Sequence, residues 1–356
     1  MHLPKVAARE RLCYGHAWFL EGFMAAARYD VLGIGNAIVD VLARTDDDFL
    51  VAQKMPKGSM SLIDEPRAKA IYDAMGPTTE ASGGSAANTV AGVASFGGRA
   101  AFVGKVKDDK LGRAFAHDIR AIGVAFDTPA AKDGPATACC YILVTPDGER
   151  TMNTYLGAAQ NLSPADVSED EIASAAITYL EGYLWDPKDA KEAFRKAAKI
   201  AHGAGRTVAL TLSDSFCVDR YRAEFIELVK GGTVDLLFAN EHELKSLYET
   251  ADFDTALASL KNDAKLGVVT RSEKGAVVVG GGKTDTVPVF PVERVVDATG
   301  AGDLFAAGFL HGFAKGLPHG DSARLGALAA AEVISHIGAR PLKKLADFAR
   351  ENGLKA

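Results

Sequence analysis

The segment Val295-Val-Asp297-Ala-Thr-Gly300-Ala301-Gly302-Asp303-Leu-Phe sets a carboxylate directly behind two glycines and at the head of a helix-periodic apolar run. Gly300, Ala301 and Gly302 lack bulk, so the backbone can turn tightly and bring bare N–H groups close to a ligand. Leu304, Phe305, Gly308, Phe309 and Phe313 carry the helical period, which places those N–H groups at a helix N-terminus. Unpaired donors and the positive end of the dipole make such a terminus an anion hole. Asp303 in that first turn has two readings. It either complements the helix dipole, or it faces the anion and takes the proton of an attacking hydroxyl. A base beside an anion hole is the geometry that phosphoryl transfer requires.

Two other glycine clusters do not make phosphate loops. Gly33-Ile-Gly35 begins like a dinucleotide fingerprint, but Ile38 stands at the third glycine position. Gly282-Lys-Thr284 ends like a P-loop, yet the earlier glycine it needs falls on Val277, and its surroundings read as a β-hairpin. Glycines 280–282 read most simply as a turn.

Asp297-Ala-Thr-Gly-Ala-Gly-Asp303 closely resembles the DTxGAGD signature of the PfkB (ribokinase-like) carbohydrate and nucleoside kinases. Ser82-Gly83-Gly84-Ser-Ala-Ala-Asn88 matches the family's GGxxxN element, Asn36-Ala-Ile-Val-Asp40 follows the first strand, and Asn240-Glu-His-Glu243 matches NxxE. Four ordered motifs span residues 33–303, and the resemblance covers essentially everything after residue 28. It implies a ribokinase-like three-layer α/β/α domain with a mostly parallel central sheet and a small β-sheet lid. It further implies an ATP-dependent kinase that moves the γ-phosphoryl group to a primary hydroxyl of a ribose-containing substrate.

By this resemblance, Asp303 is the base and the N–H groups of residues 300–303 form the anion hole. Asp40, with Asn36, accepts hydrogen bonds from vicinal hydroxyls, a task that suits a carboxylate. Gly83, Gly84 and Asn88 set backbone N–H and amide groups against the polyol. Asn240 and Glu243 belong to the ATP side, where Glu243 resembles the residue that organises Mg²⁺ and phosphate through water; an ordinary first-turn helix acid is the plainer reading. Val268-Val-Thr270-Arg-Ser-Glu-Lys-Gly275 resembles the nucleotide-binding turn, with Thr270 and Gly275 matching and Ser272 standing where the family often has glycine. Arg150 matches an arginine that nucleoside-type members hold over the transferring phosphoryl group; a surface hairpin arginine is the alternative.

Several segments lean towards the adenosine-kinase-like branch. Ile38 stands where nucleoside kinases place an apolar residue against the base. Arg150-Thr-Met-Asn-Thr-Tyr-Leu-Gly-Ala-Ala159 resembles that branch, and Leu212-Ser-Asp-Ser-Phe216 resembles the stretch that supplies an aromatic to the nucleoside pocket. Tyr183 and Trp185 add stacking surface or, in the plainer reading, core and lid packing. Adenosine is therefore the leading acceptor and a simple sugar, in a ribokinase- or fructokinase-like enzyme, the alternative. A ligand-binding protein without turnover is a third reading, against which an intact Asp303 and its glycine loop argue. Monovalent-cation activation occurs in the family, and the residues near Asp297 leave it open, as they leave monomer and homodimer open.

The elements that must position these groups alternate strand-like and helix-like, the signature of an α/β layer fold. Core strands are expected at 30–35, 100–104, 176–181, 207–212, 234–239, 266–270 and 276–279, several as the continuous apolar runs of doubly covered parallel strands. Helices are expected at 84–96, 109–121, 188–203, 219–230, 241–249, 301–314, 320–337 and 342–352. Residues 136–156 break the alternation as a hairpin about Thr145-Pro-Asp-Gly148. With a segment from about 40–63 it would make the lid of one kinase domain, 29–356.

The whole composition agrees. The chain has 356 residues, 48% of them hydrophobic and 24% charged, which is that of a folded globular protein. A net charge of −6 argues against a nucleic-acid or anionic-membrane partner. Its 36 glycines are about one residue in ten, above the usual share, and the motifs show where they work. Cys13, Cys139, Cys140 and Cys217 show no CxxC spacing and read as reduced thiols of a cytoplasmic protein. Near the start, Lys5, Arg9 and Arg11 precede the apolar Leu12–Leu20 in a faint signal-peptide outline that His16, Glu21 and Gly22 interrupt. The better reading is that residues 1–28 are a non-functional extension, with Met24 a plausible start.

Overall fold

The computed structural model describes residues 26–356. The signal-peptide outline, Met24 and Cys13 lie outside the described residues. The apolar runs become one nine-stranded sheet in the order Lys283–Val287, Ala276–Gly280, Leu266–Thr270, Leu236–Asn240, Thr207–Thr211, Ala175–Glu181, Tyr29–Ile34, Ala100–Val103, Val124–Ala125. From Leu266–Thr270 to Val124–Ala125 every pairing is parallel, and the two strands at the other edge are antiparallel.

Successive side chains leave a strand on opposite faces, and the core divides accordingly. Val31 packs on one face with Val90, Leu304, Phe309 and Leu325, from helices Ser85–Ser95, Ala301–Ala314 and His319–Val333. Leu32 packs on the other with Phe194, Phe225 and Leu260, from helices Lys188–Gly203, Ser215–Lys230 and Phe253–Asp263. The result is the expected three-layer α/β/α body. Parallel strands share one carboxyl edge, where α/β sheets hold ligands, and Asn36, Glu181, Thr211, Asn240 and Thr270 all stand along it.

A second sheet runs Met60–Leu62, Arg150–Tyr155, Ala138–Val144, Ile38–Arg44, Thr79–Gly83. The hairpin is present, with Val144 opposite Arg150 and Cys139 opposite Tyr155. The sheet exceeds the expected 40–63 and 136–156: it begins at Ile38 and gains Thr79–Gly83, which pairs antiparallel with Ile38–Arg44. That added strand carries Gly83 into the site.

Helix 219–230 begins earlier, at Ser215, because Asp214 caps it by accepting the Cys217 N–H at 2.6 Å. The helix expected at 320–337 ends at Val333, and that at 342–352 covers only Leu345–Glu351. Helix Phe253–Asp263 had a readable signal: Asp252 caps it, and Phe253, Ala256, Leu257 and Leu260 make its buried face. Among the described residues no helix is long and apolar enough to cross a membrane.

Candidate active site

Gly300 takes φ 81° and caps helix Ala301–Ala314. A Cβ there would stand 2.8 Å from the Ala339 Cα, so the turn admits only glycine. The Ala301 N–H returns to the Ala298 carbonyl at 3.2 Å, whereas those of Gly302 and Asp303 have no acceptor among the described residues. Two donors at a helix N-terminus are thus open to an anion.

Asp303 is next to them. Its Oδ1 accepts the Ser85 hydroxyl at 2.6 Å and its Oδ2 the Asn88 amide at 3.1 Å. Burial raises its pKa above the usual carboxylate range, against the pull of those two hydrogen bonds. Both partners come from the helix that Gly84 caps at φ 95°, where a Cβ would strike the Asn36 carbonyl oxygen at 2.2 Å. Gly83 leaves room of a different kind: its absent Cβ would lie 2.6 Å from the Asp40 Oδ2. Burial pushes Asp40 up to about 6, with Arg340 and Arg150 pulling down and Asp303 pushing up.

Arg150 reaches from the second sheet to the start of the glycine loop. Its Nη1 meets the Asp297 Oδ2 at 2.7 Å and donates to the Thr299 hydroxyl at 3.1 Å, while its buried Nη2 has no hydrogen-bond partner among the described residues. Asp297 also accepts the Thr299 N–H, the Thr299 hydroxyl and the Gly338 N–H. Four donors thus converge on that carboxylate.

Two cavities meet at the loop. One, of about 650 Å³, is mainly apolar and is walled by Thr270, Gly275, Phe290, Val292 and Ile334. The other, of about 580 Å³, holds Asn36, Ile38, Ser85, Glu181, Phe216 and Asp303. Thr270, Ala298, Ala301, Gly302 and Phe305 line both, so the open N–H groups stand at the passage between them.

A model of "pfkB family carbohydrate kinase" matches residues 70–345. The chain belongs to the PfkB family. The crystal structure of adenosine kinase from Sinorhizobium meliloti is 58% identical and superposes at a TM-score of 0.86, covering 92% of this chain and 100% of that one. A probable sugar kinase from Rhizobium etli CFN 42 is 52% identical at a TM-score of 0.87, with the same coverage. Among curated relatives, probable fructokinase-3 of Arabidopsis thaliana is 30% identical over 65% of this chain and 68% of its own length. Adenosine kinase of Saccharomyces cerevisiae is 27% identical over 86% of this chain and 94% of its own.

Not every residue of the PfkB motifs stands where the sequence suggested. Thr270 and Gly275 line the apolar cavity, but Asn240 and Glu243 line the other. Those two form a capping box: the Asn240 N–H and amide donate to the Glu243 carboxylate at 3.0 and 2.5 Å, and the Glu243 N–H returns to the Asn240 Oδ1. Burial raises Glu243 to about 7. Ile38 and Ser85 line the second cavity, whereas their neighbours Asp40, Gly83, Gly84 and Asn88, and Arg150, are not part of its lining. Tyr183 and Phe216 line that cavity, Phe216 being 73% exposed. Trp185 does not: it is 1% exposed and packs on Phe194 and Phe225, so its stacking role is withdrawn in favour of the core.

Three site residues escaped sequence reasoning. Ser85 is one. Glu181 is another, a buried carboxylate that accepts the Asn36 N–H at 3.3 Å, the Asn36 amide at 2.7 Å and the Ala86 N–H at 2.8 Å. Burial lifts it to about 7 despite those bonds. An acid closing the apolar strand Ala175–Glu181 at the ligand edge was a usable signal. The third, Arg340, had none: it lies in a loop after the last long helix.

Proposed function

We propose that this PfkB kinase transfers the γ-phosphoryl group of ATP to the primary hydroxyl of adenosine, giving AMP. The observation that carries the phosphoryl-transfer reading is Asp303 beside two open N–H groups at the passage between two cavities. The acceptor is argued from the 58% identity to an adenosine kinase and from the second cavity, where Ile38, Met60, Leu62, Met152 and Phe216 offer a base more apolar surface than a sugar alone needs.

ATP fits the apolar cavity, with its phosphates towards Gly302. Asp40 and Asn36 hold the ribose diol, and Gly83, Gly84 and Asn88 close around it. Asp303 accepts the proton of the attacking hydroxyl late in a loose transition state, while the Gly302 and Asp303 N–H groups and the free Nη2 of Arg150 face the charge on the phosphoryl oxygens. Glu243 and Asp214 line the second cavity, and a water-mediated Mg²⁺ needs no more than one or two such carboxylates. Bound there, Mg²⁺ would offset phosphate charge. The second sheet serves as a lid, and the buried thiols of Cys139, Cys140 and Cys217 suit a reducing cytoplasm.

A coupled ADP-release assay with ATP and Mg²⁺ over adenosine, inosine, guanosine, ribose and fructose tests this. Adenosine is expected to show the highest kcat/KM. Fructose or ribose in first place moves the assignment to a sugar kinase, the reading that the probable sugar kinase of Rhizobium etli favours. No turnover with any of them defeats the kinase reading.

A further inference from the structure

The Asn88 amide can hold Asp303 only if its NH₂ end faces the carboxylate, and the residue that dictates this orientation is Arg340. The Arg340 Nε donates to the Asn88 Oδ1 at 3.3 Å, so the amide oxygen is turned away from Asp303 and its Nδ2 donates to the Asp303 Oδ2 at 3.1 Å. An amide presented the other way round would set two acceptors against each other at the base. The arginine is itself clamped, since its Nη1 donates to the Ser82 hydroxyl of strand Thr79–Gly83. Its Nη2 is buried and has no hydrogen-bond partner among the described residues. A guanidinium kept in such a place at that desolvation cost is not explained by packing.

We infer that Arg340 is a positioning residue for phosphoryl transfer, acting through the Arg340–Asn88–Asp303 relay to aim the base. This rests on the kinase reading above. The relay joins three separate pieces of chain: the loop after helix His319–Val333, helix Ser85–Ser95 and helix Ala301–Ala314. Only the planar fork of arginine serves Ser82 and the Asn88 oxygen at once, so lysine cannot replace it.

The test is a double-mutant cycle of Arg340→Gln and Asn88→Ala, read as kcat and nucleoside KM, with Arg340→Lys and thermal melting alongside. Each single variant is expected to lose about 10–30-fold in kcat, and the double variant to fall no more than about threefold below the worse single one, because both break one relay. Arg340→Lys is expected to stay near the glutamine variant in kcat while melting near wild type, and it carries the test if Arg340→Gln does not fold. Wild-type kcat in Arg340→Lys, or multiplicative losses in the double variant, overturns the inference. Absence of turnover by wild-type protein overturns the kinase reading instead, and the two failures are thereby told apart.

Discussion

The Arg150 guanidinium meets the Asp297 carboxylate at 2.7 Å, the aspartate buried and the arginine nearly so, and this ion pair ties the second sheet to the loop that becomes helix Ala301–Ala314. It holds the hairpin arginine beside the glycine loop. It also explains the first aspartate of the PfkB signature, which here organises the loop through Thr299 and Gly338 rather than facing the cavities.

Replacing Arg150 by alanine strands a buried carboxylate. The expected cost is about 3 kcal/mol in denaturant unfolding, since a buried pair broken on one side leaves an uncompensated charge. Turnover is expected to fall about 10²-fold or more in the same variant, because a donor for the transferring group is lost as well. A double Arg150→Ala, Asp297→Ala protein should regain little of the stability, because the Thr299 and Gly338 N–H groups lose their acceptor, and none of the turnover.

Asp303→Asn separates stability from chemistry. Asparagine keeps the shape and can still accept from Ser85, but it cannot take a proton. The expected loss in kcat is about 10²–10⁴-fold with little change in KM. Burial raises the Asp303 pKa, so its charge opposes folding at neutral pH; the variant removes that charge but sets its own NH₂ against the Asn88 amide, and it is expected to melt near wild type. A variant that keeps near-normal turnover removes Asp303 from the role of base.

Much of this site was written locally and so could be read from the chain. The loop 297–303 needs small residues, a helix start and an acid within seven positions, and all are adjacent in sequence. Gly83 and Gly84 were readable for the same reason, as were the buried strands, whose apolar runs are short and unbroken. What was not readable acts across distance. Arg340 bonds Asn88 across a separation of 252 residues with no local pattern to mark it, and Glu181, marked only as an acid closing an apolar strand, bonds Asn36 across 145. Strand Thr79–Gly83 was missed because Thr79 and Ala81 are exposed and Glu80 partly so, and Thr-Glu-Ala-Ser-Gly shows no apolar alternation to announce it. Trp185 left stacking and core packing both open, because an aromatic near a motif suits either until its packing on Phe194 and Phe225 decides for the core.

Asp40 predicts an acid limb. Its carboxyl is pushed up to about 6, and only the charged form accepts from both hydroxyls of a diol. The kcat/KM for the nucleoside is expected to fall about tenfold per pH unit below about 6 and to level off above it. Stability runs the other way. A carboxyl raised from 3.8 to about 6 on folding contributes stability below 3.8 that is lost as pH rises through about 6. Glu181 and Glu243, raised from 4.5 to about 7, add to the same decline. Unfolding free energy is therefore expected to drop between about pH 4.5 and 7, and Asp40→Asn should flatten part of that drop while weakening nucleoside binding. A limb unmoved in Asp40→Asn assigns it to another group.

Phe216 separates the nucleoside from the sugar. It is 73% exposed in the first turn of helix Ser215–Lys230, at the cavity that Ile38 and Met152 also line, so the folded protein gains little from it. A base stacked against it would gain about 1–3 kcal/mol. Phe216→Ala is therefore expected to raise the KM for adenosine about tenfold, with kcat and melting temperature near wild type. Ribose and fructose lack the stacked ring, so any turnover of theirs should keep its KM in the same variant. An equal rise for adenosine and for the sugars would mean that the side chain shapes the cavity without touching a base.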